Sequence, residues 1–231
     1  HGLPEDHARA LLVGRVWQQG LGPTPVWVTE DPVHDISGIA STTSQLLEMA
    51  DPAGTVREFG GPRLGRTAEV LANSAHDRRD PALPWLLAPC DLQAINAAVV
   101  SVGAAMLERV IEEQARGDAT RAEAVRRSVV AVIGDNLRAV KPGSAQAARL
   151  REVLIGQGLW SQYLEVGIGE DAEIFTKAPA MSAVGMGAEV GLHPKSAWNN
   201  PEPEVVLAVD SRGRVRGCTL GNDVNLRDFE G

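Results

Sequence analysis

At 231 residues the chain has room for one large domain or two smaller ones, with a buried apolar core in either case. Its 44% hydrophobic and 23% charged side chains exclude extended disorder, and 24 glycines with 14 prolines imply many turns. A formal charge of -8 argues against a nucleic-acid surface, which needs clustered Lys and Arg to neutralise phosphates, so small-molecule chemistry is the better expectation.

Cys90 and Cys218 lie far apart and outside any Cys-x-x-Cys spacing, so neither a disulfide framework nor a zinc site is expected, and a reducing cytoplasm fits. No apolar run approaches the ~20 residues of a membrane span, and the start His1-Gly2-Leu3-Pro4-Glu5-Asp6 lacks the basic and apolar regions of a signal peptide. The expectation is a cytoplasmic protein with no membrane or nucleic-acid partner.

In chain order, residues 11–17 and 25–29 are short β-branched and aromatic runs around the turn Gly20-Leu21-Gly22-Pro23, which predicts an opening hairpin. Ser41 to Ala50 has a polar start followed by Leu46, Leu47 and Met49, which predicts a short helix ending at Asp51-Pro52. Residues 60–89 carry Gly61-Pro62, Asp80-Pro81 and Leu83-Pro84 with few periodic apolar positions. They read as a long connection and domain boundary. Helical spacing of Met106, Leu107, Val110 and Ile111 predicts a helix over 103–116, capped by Gly117. A second helix is expected from Thr120, with Thr120 and Glu123 as a capping box, to about Ile133. A third is expected from Ser144 to Ile155. Beyond Gly158 short strands are expected at 163–169 and 173–177. The end of the chain reads as an antiparallel hairpin, with 204–209 and 214–220 flanking Asp210-Ser211-Arg212-Gly213.

Strand side chains alternate faces, so Glu202 and Glu204 point the same way at the entrance to that hairpin. If the turn pairs Val209 with Arg214, Glu204 faces Thr219 and Glu202 faces Gly221, which brings Asp223 to the same end. Three carboxylates with room for water suit a hard ion, Mg²⁺ first and Mn²⁺ or Ca²⁺ next, better than zinc. Spacing alone also allows the plainer reading of solvated strand-edge glutamates and a turn-capping aspartate.

The wording around the carboxylates is more specific. Trp198-Asn199-Asn200-Pro201-Glu202-Pro203-Glu204-Val205-Val206, followed by Leu220-Gly221-Asn222-Asp223-Val224-Asn225-Leu226-Arg227-Asp228, resembles the signature of the fumarylacetoacetate hydrolase family. Similarity is densest from Leu159 to Gly231, including 159–166 and 171–179, and looser elsewhere. Within the family the chain looks most like the bacterial branch of sugar-acid dehydratases, through Leu107-Glu108-Arg109-Val110-Ile111-Glu112-Glu113 and Gly22-Pro23-Thr24-Pro25-Val26.

The resemblance implies an α+β fold with a mostly β core of mixed sheets in a β-roll and an inserted helical layer. A small β-built N-terminal domain with its linker would occupy residues 1–88, and a catalytic domain, incomplete at its C-terminal end, residues 89–231. It implies a divalent-metal lyase that converts a 2-keto-3-deoxy sugar acid to 2,5-dioxopentanoate in pentose catabolism, working as a homodimer or higher assembly. Glu202, Glu204 and Asp223 would bind Mg²⁺, and Glu173 would transfer a proton or orient water. Lys177 and Arg227 would meet the substrate, with Arg227 ion-paired close to the metal carboxylates. Arg109 would reach the pocket from its helix, although beside Glu108 and Glu112 it also reads as a surface partner. Tyr163, Phe175 and Trp198 read as packing, and His7, His34, His76 and His193 show no ligand spacing.

Two departures from the branch bear on function. Its Gly-Val-Thr-aromatic stretch with a nearby serine is replaced by Val99-Val100-Ser101-Val102-Gly103-Ala104-Ala105, which removes an aromatic and a hydroxyl from the implied pocket. Members of the branch also continue well beyond the position of Gly231. Two alternatives therefore accompany the dehydratase reading. One is a hydrolase that cleaves a carbon–carbon bond of a β-diketone or acylpyruvate, disfavoured because no histidine motif appears near 95–110. The other is a non-catalytic member that keeps the ion site.

Overall fold

The computed structural model describes residues 3–98, 111, 115, 118–133, 140–156, 158, 160, 165, 167–169, 171 and 174–229. Two compact units make up the chain, one of His1–Ala94 with Ala178–Gly231 and the other of Ile95–Lys177. This division differs from the expected 1–88 and 89–231. The C-terminal hairpin groups with the N-terminal part because its tip is bonded there, Ser211 to Glu48 and Arg216 to the carbonyl of Met49.

The first unit is built on a five-stranded antiparallel sheet of order β4-β3-β2-β1-β5. Strand β1 (Leu12–Gln18) and strand β2 (Gly22–Val28) form the expected opening hairpin, with Leu12 opposite Val28 and Gln18 opposite Gly22. The second strand starts earlier than expected and runs through Pro23 and Pro25. The Pro25 carbonyl accepts from Ile36 on the side away from β1, so these prolines cost the β1 ladder no donor.

Residues 60–89 are not a bare connection. They hold β4 (Arg63–Gly65), a helix α3 (Thr67–Asn73), a 3-10 turn (His76–Arg78) and β5 (Trp85–Leu87), while β3 is Val33–Asp35. Strands of three residues are too short for a period-2 pattern, so pairing with β1 and β3 decides them.

Helix α1 (Thr43–Glu48) is capped by Thr42, whose hydroxyl accepts from the Gln45 N–H at 3.1 Å. Asp51-Pro52 ends that segment but also starts α2 (Pro52–Phe59): Asp51 caps the Gly54 N–H, and Pro52 occupies the first turn, where its missing N–H is harmless. Both faces of the sheet are thereby covered. Val70 of α3 packs with Val16, Val26 and Val33 on one face, and Leu46 of α1 and Val56 of α2 pack with Ile36 and Ala40 on the other.

Among the described residues the second unit holds β6 (Ile95–Ala98), paired with β7 (Ile174–Ala178), and the helices α4 (Ala119–Ile133) and α5 (Ala145–Gly156). The start of α4 is capped by Asp118, which takes the Thr120 N–H at 2.9 Å and the Arg121 N–H at 3.2 Å, in place of the expected Thr120–Glu123 box. Ser144 caps α5 through the Ala147 N–H, close to the expected start. Most of the helix expected over 103–116 lies outside the described residues; the two of its positions that are described, Ile111 and Ala115, are helical and buried. In the strand expected at 163–169, Glu165, Gly167 and Ile168 are helical, with the Gly169 N–H on the Glu165 carbonyl at 3.0 Å. A run with Val166 and Ile168 but also two glycines carries no decisive periodicity.

The C-terminal hairpin pairs β8 (Asn199–Val209) with β9 (Val215–Leu226). Among the described residues no helix is long and apolar enough to cross a membrane. Cys90 and Cys218 are free thiols.

Candidate metal centre

The geometry of the acidic end is set at the other end of the hairpin, by Asp210. Its carboxylate accepts the N–H groups of Arg212 at 2.9 Å and Arg214 at 3.0 Å and the Nε groups of Arg214 and Arg216, both at 2.8 Å. These bonds widen the loop by one residue, so Val209 faces Val215, and a bulge between Ala208 and Val209 adds another. The register therefore runs two residues from the expected one. Glu202 stands directly opposite Asp223, and Glu204 opposite Gly221, with the side-chain faces unchanged because the shift is even. Burial pushes Asp210 up, but bonds from Arg214 and Arg212 outweigh it and hold the carboxyl down at about 2.

Asn200, Glu202 and Glu204 share one face of β8, and across from them Asn225, Asp223 and Gly221 share the matching face of β9. Like charges placed directly opposite on an antiparallel pair repel, so Glu202 and Asp223 need compensation. For Glu202 it is visible. Oε1 accepts from Arg227 Nη2 at 3.1 Å and from Asn200 Nδ2 at 3.4 Å, and Oε2 accepts from Asn225 Nδ2 at 2.8 Å. Arg227 is in turn fixed by its own N–H on the Trp198 carbonyl at 2.9 Å. Asn225 is buried, and its Oδ1 has no hydrogen-bond partner. A buried amide oxygen beside two opposed carboxylates is the kind of orphan acceptor that a cation or an ordered water satisfies.

The donor set is all oxygen, which is the chemistry of Mg²⁺, Mn²⁺ or Ca²⁺. The backbone register brings the three carboxylate-bearing residues to one patch. Their side chains do not form a ready cage: among the described residues no group of three Asp, Glu, His or Cys side chains is arranged to hold an ion. Glu204 is exposed and Asp223 half-buried.

Lys177 lies at the end of β7 with its ammonium 5.9 Å from the Phe175 ring centroid, in the other unit of the chain. Glu173, Arg109, Tyr163 and the 99–105 stretch lie outside the described residues. The sequence reading did not single out Asn200 or Asn225. Their signal was the alternation itself, which puts them on the glutamate face. The Trp198 carbonyl accepts the Arg227 N–H, and His34 stacks on Trp27 at 5.2 Å between ring centroids.

Comparison with known proteins adds a separate line of information. No family model matches the chain, and no solved structure matches it. Over 58 residues, 25% of this chain, it is 41% identical to 2-dehydro-3-deoxy-D-arabinonate dehydratase of Saccharolobus solfataricus. Over 69 residues, 30% of this chain, it is 38% identical to a probable 2-keto-3-deoxyxylonate dehydratase of Haloferax volcanii. The matches span 20% and 24% of those relatives' own lengths, so the similarity is to part of each dehydratase.

Proposed function

We propose that the chain is the ion-binding part of a divalent-metal dehydratase acting on a 2-keto-3-deoxy sugar acid. The observation that carries the reading is the register that sets Glu202 opposite Asp223 and beside Glu204. Support also comes from the partial identity to two proteins named as dehydratases of such acids. Glu202, Glu204 and Asp223 would hold Mg²⁺, with Arg227 and Asn225 orienting Glu202. With the ion held by these residues, the chemistry supplied would be Lewis-acid stabilisation of the negative charge that develops on a 2-keto acid as its C3 proton leaves.

The residues divide the remaining work. Glu173 is assigned proton transfer at C3, and Lys177 the substrate carboxylate. Loss of that proton and of the C4 hydroxyl removes one water and leaves a C3=C4 enone. Shift of a proton from C5 to C3 gives the C4=C5 enol, which tautomerises to 2,5-dioxopentanoate. A homodimer or higher assembly and a cytoplasmic location belong to the same reading.

The test combines turnover with binding. 2-Keto-3-deoxy-D-xylonate and an acylpyruvate would each be incubated with Mg²⁺ and with EDTA, and calorimetry with Mg²⁺ and Mn²⁺ run in parallel. The expected result is metal-dependent aldehyde release from the sugar acid alone. Glu202→Gln should abolish ion binding, and Asn225→Ala should weaken it by about tenfold. Activity on the acylpyruvate alone would point to the hydrolase reading. Ion binding without turnover of either compound would favour the non-catalytic reading, which the altered 99–105 stretch supports.

A further inference from the structure

A second recess, within the first unit, is built from segments far apart in sequence. It has a volume of about 310 Å³ and lies between the edge formed by β1 and β5 and a strap around residues 181–188. That volume is at the small end of the range of ligand pockets.

One wall is aromatic. Trp17 and Trp85 are cross-strand partners with ring centroids 5.8 Å apart and planes inclined by 24°, and Trp17 remains 37% exposed. Above Trp85 sits the guanidinium of Arg79, 5.1 Å from the ring centroid. Arg79 Nη2 donates to the Ser74 carbonyl at 2.8 Å, while Nε is buried with no hydrogen-bond partner. Among the described residues no carboxylate pairs with Arg79. The other arginine of the recess, Arg15, is already compensated: it is 6% exposed, bonded to the carbonyls of Ala88 and Cys90, and 3.6 Å from Asp91. In a chain of net charge -8, an uncompensated guanidinium on an aromatic wall is a local feature.

The strap is fastened on purpose-built contacts. Met181 adopts φ 66°, a left-handed conformation that a side chain makes costly, and its N–H is fixed on the Asp91 carbonyl at 3.0 Å. Gly187 accepts from the His76 N–H at 2.9 Å, and a side chain at Gly185 or Gly187 would collide with the backbone of Leu86 or Ser74. Strain held in place by surrounding bonds, next to a recess with an unsatisfied cation, is characteristic of binding sites.

The geometry points to a binding site for a small flat carboxylate, its conjugated or aromatic plane against Trp17 and Trp85 and its anionic end on Arg79. The site is separate from the acidic end of the hairpin and does not rest on the dehydratase reading. A planar ring gains stacking on the tryptophans, and a carboxylate supplies the acceptor that Arg79 Nε lacks.

Calorimetry on the full chain with indole-3-carboxylate, indole-3-carboxamide and cyclohexanecarboxylate tests it, with shifts of the tryptophan indole N–H signals locating the contact. The expected result is binding of the aromatic acid, with the amide and the saturated acid each weaker by about tenfold. Arg79→Gln should abolish the preference for acid over amide. Trp17→Leu, at an exposed position, should abolish the preference for the flat ring and keeps the test decisive if the Arg79 variant fails to fold. Absence of binding at millimolar ligand would overturn the proposal, as would equal binding of acid and amide, or shifts confined to Trp27, Trp160 and Trp198.

Discussion

The N-terminal sheet and the C-terminal hairpin are both antiparallel, yet they are held together in opposite ways. In the sheet, Val16, Val26, Leu46 and Val56 have no exposed surface, because helices cover both faces. In the hairpin, strands of 11 and 12 residues leave Val205 70% and Leu220 81% exposed, and the ladder and the Asp210 tip define the geometry. The first region's shape follows from apolar burial, the second's from hydrogen bonds and charge. The acidic residues assigned to the ion therefore sit where substitutions disturb little core, and the residues that make the unit stable sit elsewhere.

The sharpest way to break this comparison is at the polar centre that locks the sheet. Asp91 is buried and accepts from the N–H groups of Thr43 and Ser44 at 2.7 and 3.1 Å and from the Ser44 hydroxyl at 2.5 Å. Burial pushes its carboxyl up, but these bonds and one from Leu92 hold it below the ordinary range. Asp91→Ala strips the start of α1 of its acceptor and leaves Arg15 buried without its carboxylate. A loss of about 3–5 kcal/mol is expected in urea unfolding. Leu46→Ala, in the core with no polar partner involved, should cost about 2–5 kcal/mol by the same measurement.

Asp210 probes the other region. Its folded value near 2 lies below the ordinary 3.8, so its contribution is complete above about pH 4 and is lost as pH falls toward 2. Asp210→Asn should flatten the fall in thermal midpoint between pH 4 and 2. It should also loosen the loop that sets the register, which amide exchange at Glu202 and Asp223 would report. The smallest effect is expected on the outer hairpin. Leu220→Ser should change unfolding free energy by no more than about 0.5 kcal/mol, whereas a large loss would mean that this face is covered in solution.

Much of the chain was legible from local chemistry. The opening hairpin, the Thr42-capped helix α1, and α4 and α5 all carry their signals within a few residues, as turn glycines, caps and helical spacing. The pairing of Glu202 with Glu204 on one face was legible too, since alternation along a strand depends on nothing distant. Residues 60–89 were misread for the opposite reason. Three-residue strands are defined by partners about 30 positions away for β4 and about 70 for β5, and Asp51-Pro52 serves equally as a stop and as a start.

By itself, then, the sequence determined the elements with local caps, the acidic face and the exclusion of a strongly basic surface. Tertiary structure decided the register that sets Glu202 against Asp223, through the bonds Asp210 makes to its own loop. It also decided the bonds of Asn225 and Arg227 to Glu202, and the recess that gathers Trp17, Arg79, Trp85 and Met181. The physical reason is that side-chain periodicity is a property of neighbouring residues, whereas register, burial and charge compensation are set by groups that meet only when the chain folds.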